Sequence, residues 1–176
     1  MARALVAFKS KYGSTKQYAD WIGKEINAEV MPVESVNSSN LDNYDVIIFG
    51  SYLHVGKIMG TDFIVKNWET IKDKKIVVFS CSASAPDNPK LKTAFENAFP
   101  GEFGERIKYF PLRGRIGDLD ISDTILISVP KIMAFLSWFI KRDEKTKKIA
   151  NELGRKVDYV DKRNILPIVA HIKNSQ

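Results

Sequence analysis

The sequence predicts an open parallel α/β sheet with helices on both faces, and three observations lead there. Five short apolar β-type runs are interleaved with three helical segments along the first two thirds of the chain. Two of those runs, YDVIIFG (44–50) and KKIVVFS (74–80), have unbroken apolar centres, the pattern of strands buried on both faces. The connections between runs are short, as in crossover units that stack side by side. At 176 residues the chain can bury one full-sized core, and a single domain over 1–176 is expected.

RALVAFK (3–9) is the first run. Tyr18, Ala19, Ile22 and Ile26 follow at helical spacing and predict an amphipathic helix over 15–26. AEVMPVESV (28–36) reads as a second strand, and its Pro32 suits an edge, where a missing N–H costs little. YDVIIFG is the third. TDFIVKNWETI (61–71) is helical, with Thr61 or Asp62 as its cap. KKIVVFS is the fourth strand. NPKLKTAFENAF (88–99) is a helix with Pro89 in the tolerated first turn. RIKYFPLRG (106–114) is the fifth strand. Beyond it, RIGDLDISD (115–123) is a polar loop. TILISVPKIMAFLSWFI (124–140) carries one charge in seventeen residues, too short and too interrupted by Pro130 for a membrane span, and reads as a core helix. NILPIVAHIK (164–173) is a final helix.

Composition narrows the function. Apolar residues make up 44% and charged residues 27%, ordinary for a globular protein. The single cysteine, Cys81, excludes an internal disulfide, and two histidines argue against a Cys/His metal cluster. With no signal-like N-terminus, a cytoplasmic protein is expected. Of the net charge of +6, +4 falls between Lys141 and Arg163, where nine basic residues face five acids. That stretch is either a solvated helix face or a surface for anionic lipid or an acidic partner. Together with Phe135, Trp138 and Phe139 it allows peripheral membrane contact through 124–163, at the inner face of the membrane. Nucleic acid is not expected, because the basic residues lack interleaved aromatics and a binding motif.

The chemistry concentrates in SKYGST (10–15), between the first strand and the first helix. Ligands of open parallel sheets bind beyond the carboxyl ends of the strands. A helix N-terminus there offers unpaired N–H groups and partial positive charge, which suit an anion. Ser10, Ser14 and Thr15 add hydroxyls, and Gly13 allows a close backbone turn. Neither G-x-x-x-x-G-K-[ST] nor G-x-G-x-x-G is present, so neither a nucleoside triphosphate nor a dinucleotide is indicated. Asp87 stands where a cysteine-phosphatase loop starting at Cys81 would need arginine. A terminal phosphomonoester fits the composition; a capped helix start without ligand is the alternative. In a sheet of order 2-1-3-4-5 the loops after the third and fourth strands, SYLHVGKIMG (51–60) and CSASAPDN (81–88), share that rim. Tyr52 and His54 are candidates for stacking or hydrogen bonding. Arg113 and Arg115 either meet an anionic substrate or lie in solvent. Cys81 has no activating neighbour in sequence and reads as a small buried filler; His171 reads as structural.

SKYGST resembles the Ser/Thr-x-Tyr-Gly-x-Thr phosphate loop of the flavodoxins. The resemblance implies a flavodoxin-like fold and FMN, its phosphate on Ser10, Lys11, Tyr12, Gly13, Ser14 and Thr15. The isoalloxazine ring would then be flanked by Ser51, Tyr52, Leu53, His54, Val55 and Gly56 and by Ser80, Cys81, Ser82 and Ala83. IIFGSYLHVGKI, VVFSCSAS, YFPLRGRIGDLDISD and VDYVD are more loosely similar to segments of the menaquinone-dependent protoporphyrinogen IX dehydrogenases. That similarity implies an oxidoreductase passing electrons from a porphyrinogen to a quinone; a non-enzymatic electron carrier is the alternative. The chain departs from those enzymes in lacking a Tyr-Pro-Arg-Tyr pattern after the fifth strand and in a longer, more charged 141–157. The resemblance to flavodoxins implies an acidic carrier, whereas this chain has a sequence pI of about 9.3.

Overall fold

A computed structural model of the chain describes residues 2–116 and 157–174. The chain divides into two compact units, Met1–Arg115 with Tyr159–Gln176, and Ile116–Asp158. The expected helix over 124–140 and most of the basic stretch lie outside the described residues.

The first unit is built on five parallel strands: β1 (Ala4–Phe8), β2 (Glu29–Pro32), β3 (Val46–His54), β5 (Lys75–Ser82) and β6 (Ile107–Arg113). Their order is β2-β1-β3-β5-β6, and each neighbouring pair is parallel. Counting parallel strands alone, this is the flavodoxin-like order 2-1-3-4-5. The extra strand, β4 (Lys57–Ile58), folds back antiparallel on the end of β3. The described helices are α1 (Ser14–Ile26), α2 (Asp62–Lys66), α3 (Trp68–Ile71), α4 (Pro89–Ala98), α5 (Glu102–Arg106) and α6 (Leu166–Lys173), with 3₁₀ segments at Val33–Ser35, Ser38–Asn43 and Lys162–Ile165, and β7 (Arg115–Ile116) and β8 (Val157–Asp158) pair as a two-residue ladder.

Side chains of a strand alternate between the two faces of its sheet, and the apolar runs therefore feed two cores. Val6, Ile48, Val77 and Phe79 pack with Tyr18, Ala19 and Ile22 of α1 and Ile168, Val169 and Ile172 of α6. Leu5, Ala7, Ile47, Phe49 and Val78 pack instead with Phe63, Ile64, Trp68, Phe95 and Phe99. This double burial explains why the central strands are apolar without alternation. β2 is the edge, and Pro32 ends it at the sheet position that tolerates proline.

Four local expectations need correction. The strand expected over 28–36 stops at Pro32, and Val33–Ser35 turn into a 3₁₀ segment. The helix expected over 61–71 is two helices, broken at Asn67, whose amide donates to the Phe63 carbonyl at 2.7 Å. That side-chain bond competes with the backbone ladder. Thr61 makes no capping bond. The loop expected from 115 begins as β7. By contrast, Pro89 sits in the first turn of α4, where the Asn88 side chain accepts from Lys90 N–H at 3.0 Å.

The β3–β4 hairpin carries backbone strain. Its two turn residues, Val55 (φ 49°) and Gly56 (φ 74°), are both left-handed, as a type I′ turn requires. For a β-branched residue that region is an outlier costing roughly 1–2 kcal/mol, and Val55, 63% exposed, loses little by being replaced. Val55→Asn is expected to stabilise the apoprotein by about 1 kcal/mol, read as a higher urea midpoint with an unchanged slope; an unchanged or lower midpoint would count against the strain.

Candidate functional site

Parallel strands place their carboxyl ends on one rim, and the register brings the segments 10–15, 51–60 and 81–88 together there; contrary to expectation, Ser51–His54 continue β3, Lys57–Ile58 form β4 and Cys81–Ser82 end β5 rather than lying in loops. Phe8, the last residue of β1, lies beside Gly50, and the next N–H, that of Lys9, donates to the Gly50 carbonyl at 2.8 Å. Ser51 pairs with Ser80 and Tyr52 with Cys81. Ser82 pairs with Arg113. SKYGST, the hairpin and the loop after β5 thus leave adjacent strands at one edge.

The turn into α1 is made by Gly13, at φ 81°, ψ −15°; its carbonyl accepts the Gln17 N–H at 3.0 Å, and no side chain caps the helix. The first-turn N–H groups of a helix lack intrahelical partners. Thr15 is fully buried and Ser14 nearly so. Ser10 Oγ and Thr15 Oγ1 are both enclosed and make no hydrogen bond. Ser14 and Thr15 both face the Cys81 sulfur, a weak acceptor, and Thr15 Oγ1 reaches no bonding geometry with it. A buried hydroxyl left without a partner costs roughly 1–3 kcal/mol. Two such groups flanking a glycine turn at a helix N-terminus form a cradle that an oxyanion completes.

Other predicted residues are engaged in holding the rim. Ser51 Oγ donates to the Met59 carbonyl inside the hairpin. Ser80 Oγ bonds Tyr109 Oη at 2.6 Å, and the Tyr109 ring stacks on Phe95. Ser82 Oγ accepts the Ser84 N–H at 3.2 Å, and the Ala83 carbonyl accepts Arg113 Nη2 at 3.3 Å. Tyr52, Leu53 and His54 are half-buried along the hairpin, while Val55 and Gly56 form its exposed tip. Lys11 and Tyr12 are half-buried in the first loop, the Lys11 ammonium 5.5 Å from the Tyr12 ring centre. A cleft of about 400 Å³ between the hairpin and α4 is lined by Val55–Ile58, Thr61, Ala94, Asn97 and Ala98; neither SKYGST nor the loop after β5 reaches it, so it is separate from the cradle.

Cys81 is 3% exposed, and burial pushes its thiol up to about 12. It is a packing residue that stays protonated, not a thiolate. Native protein is expected to resist a thiol reagent at pH 8 and to react only after unfolding; stoichiometric labelling of the folded chain would contradict this. The raised value has a sign for stability. Unfolded chain loses this proton near pH 9 and folded chain does not, so the group lowers stability as pH rises from 9 toward 12.

Sequence reading missed Tyr18 as a support. Its hydroxyl donates to the Arg113 carbonyl at 2.7 Å and accepts from the Asp161 N–H and the Asn164 amide. One residue of α1 thereby ties the helix to the end of β6 and to the turn before α6. Arg113 is half-buried, its guanidinium 3.3 Å from the Tyr159 ring centre.

A family model for the flavodoxin domain matches residues 5–147. The chain belongs to the flavodoxin-domain family. An uncharacterized protein of Methanocaldococcus jannaschii is 31% identical over 94 residues, which are 53% of this chain and 60% of that protein, so the chain spans less than two thirds of that relative. Oxidised flavodoxin 1 of Bacillus cereus is 23% identical, covering 73% of this chain and 95% of its own, with a TM-score of 0.46. A flavoprotein of Lactobacillus acidophilus, solved in complex with FMN, is 16% identical over 64% of this chain and 93% of its own, with a TM-score of 0.43. For a flavodoxin domain FMN is the implied ligand, and the enclosed hydroxyls of Ser10 and Thr15 around Gly13 fit its phosphate.

Proposed function

We propose that this flavodoxin-domain protein is an FMN-dependent oxidoreductase, of the kind that takes electrons from a reduced porphyrinogen and delivers them to a quinone. The observation that carries the flavin reading is the pair of enclosed, partnerless hydroxyls, Ser10 Oγ and Thr15 Oγ1, at the N-terminus of α1. The flavin, when bound, supplies the electron chemistry. The chain supplies its setting: Gly13 and the first turn of α1 receive the phosphate, Tyr52 and His54 flank the ring from the hairpin, and the Ser82–Ala83 backbone borders it from the other side.

Charge favours the enzyme over a carrier. A carrier at +6 would need acidic partners, because like-charge docking is penalised. A carboxylated substrate, or an acceptor dissolved in anionic membrane, is drawn to a basic protein. Adding protoporphyrinogen IX and a menaquinone analogue to FMN-loaded protein, and following porphyrin fluorescence, tests this. Acceleration over an equal concentration of free FMN supports the enzyme; no acceleration leaves the carrier. Contact with the membrane through 124–163 belongs to the same reading, and co-sedimentation with anionic vesicles at low but not high salt is its expected result. Among the described residues no helix is long and apolar enough to cross a membrane.

A further inference from the structure

We propose that Arg115 supplies a cation to the phosphate end of the cradle, so that the site takes a phosphomonoester dianion against a guanidinium as well as against hydroxyls and backbone N–H groups. The proposal rests on the FMN reading above and adds a ligand residue from outside the phosphate loop.

Gly114 makes the placement possible. A Cβ there would lie 2.9 Å from Ser14 Oγ and 3.2 Å from Cys81 Cβ. Glycine therefore lets the chain after β6 pass directly against the start of α1, held by the Gly114 N–H on the Ser82 carbonyl at 2.7 Å. The next residue is then delivered to the phosphate loop. Arg115 Nη1 is 4.0 Å from the point a Cβ would occupy on Gly13. Arg115 Nη2 donates to Gln17 Oε1 at 2.7 Å, so a side chain of the first turn of α1 fixes the guanidinium beside the loop. The Thr15 hydroxyl in the same turn is fully buried and makes no hydrogen bond, so the start of α1 carries a second group able to bond an oxyanion.

Arginine presents a planar fork of donors matched to phosphate oxygens and remains charged at any working pH. Added to the partial charge of the helix N-terminus, it favours a dianion over a neutral hydroxyl. It also makes binding sensitive to ionic strength, since Arg115 is only half-buried.

The experiment titrates apoprotein with FMN and with riboflavin, at low and high NaCl, for the native chain, Arg115→Gln and Arg115→Lys. It also records thermal midpoints with and without inorganic phosphate. Arg115→Gln is expected to weaken FMN at least about tenfold and to flatten the salt dependence, with riboflavin affinity unchanged. Arg115→Lys is expected to keep the salt dependence and part of the affinity. Phosphate is expected to raise the midpoint of the native chain more than that of Arg115→Gln. Equal FMN affinity and equal salt dependence in native chain and Arg115→Gln would overturn the proposal, as would equal weakening of FMN and riboflavin. If the native chain binds no FMN, the flavin reading falls by itself. The phosphate arm then decides for Arg115: protection that Arg115→Gln loses upholds the cation, and equal or absent protection removes it.

Discussion

Thr15→Val is expected to move stability and cofactor affinity in opposite directions. Valine has nearly the volume of threonine, and Thr15 is fully buried. The substitution removes an enclosed hydroxyl that makes no hydrogen bond in the chain itself. The apoprotein should gain about 1 kcal/mol, the lower end of the cost of an unsatisfied buried group. FMN should bind roughly 10- to 150-fold more weakly, the equivalent of one hydrogen bond to a charged oxygen at about 1.5–3 kcal/mol. Urea unfolding of the apoprotein and flavin fluorescence titration read the two effects separately. A hydroxyl that merely packs would give little change in either. A hydroxyl that caps the helix would give lower stability, the reverse of the expected sign.

Gly50→Ala is expected to destabilise the fold by about 1–3 kcal/mol, the usual cost of overpacking a tight core. Gly50 lies on β3 directly beside Phe79 on β5. A Cβ at Gly50 would overlap the Phe79 ring, with Cε1 only 2.6 Å away. Phe79 is itself fully buried and meets Tyr18 edge-on at 6.5 Å, so the ring has nowhere to retreat. The effect should reach the cradle, because the Gly50 carbonyl holds the Lys9 N–H at the entry to SKYGST. Cofactor affinity is therefore expected to fall with stability. Pairing Gly50→Ala with Phe79→Leu should cost less than the two changes added, since each relieves the other. Strict additivity in urea unfolding would show that the clash is absorbed elsewhere.

The parallel sheet was readable because its signal is local and strong. Unbroken apolar centres in 44–50 and 74–80 report burial on two faces, and the two cores built from alternate residues of β1, β3 and β5 are that burial. SKYGST was readable for the same reason, as six consecutive residues carry the turn, the hydroxyls and the helix start. Features that depend on a few residues were not. The β3–β4 hairpin has a second strand of two residues, and its turn places valine where asparagine or glycine is the usual signal. The break at Asn67 depends on one side chain choosing the Phe63 carbonyl. Support for the site is long-range and silent in local pattern: Arg115 reaches Gln17 across 98 positions, and Tyr18 reaches Asn164 across 146. Arg115 showed in the sequence as a basic residue after the fifth strand, but its place beside the phosphate loop follows from the glycine step at 114, which no local pattern signals.

Whether the α1 cradle holds the phosphate of FMN is decided by paired titration of one apoprotein preparation with FMN and with riboflavin. The two ligands share the ring and differ at the phosphate. One FMN per chain is predicted, bound at least about a hundredfold more tightly than riboflavin, as two or more charge-assisted hydrogen bonds to the phosphate require. Equal affinity for the two, or no binding of FMN at all, would contradict it.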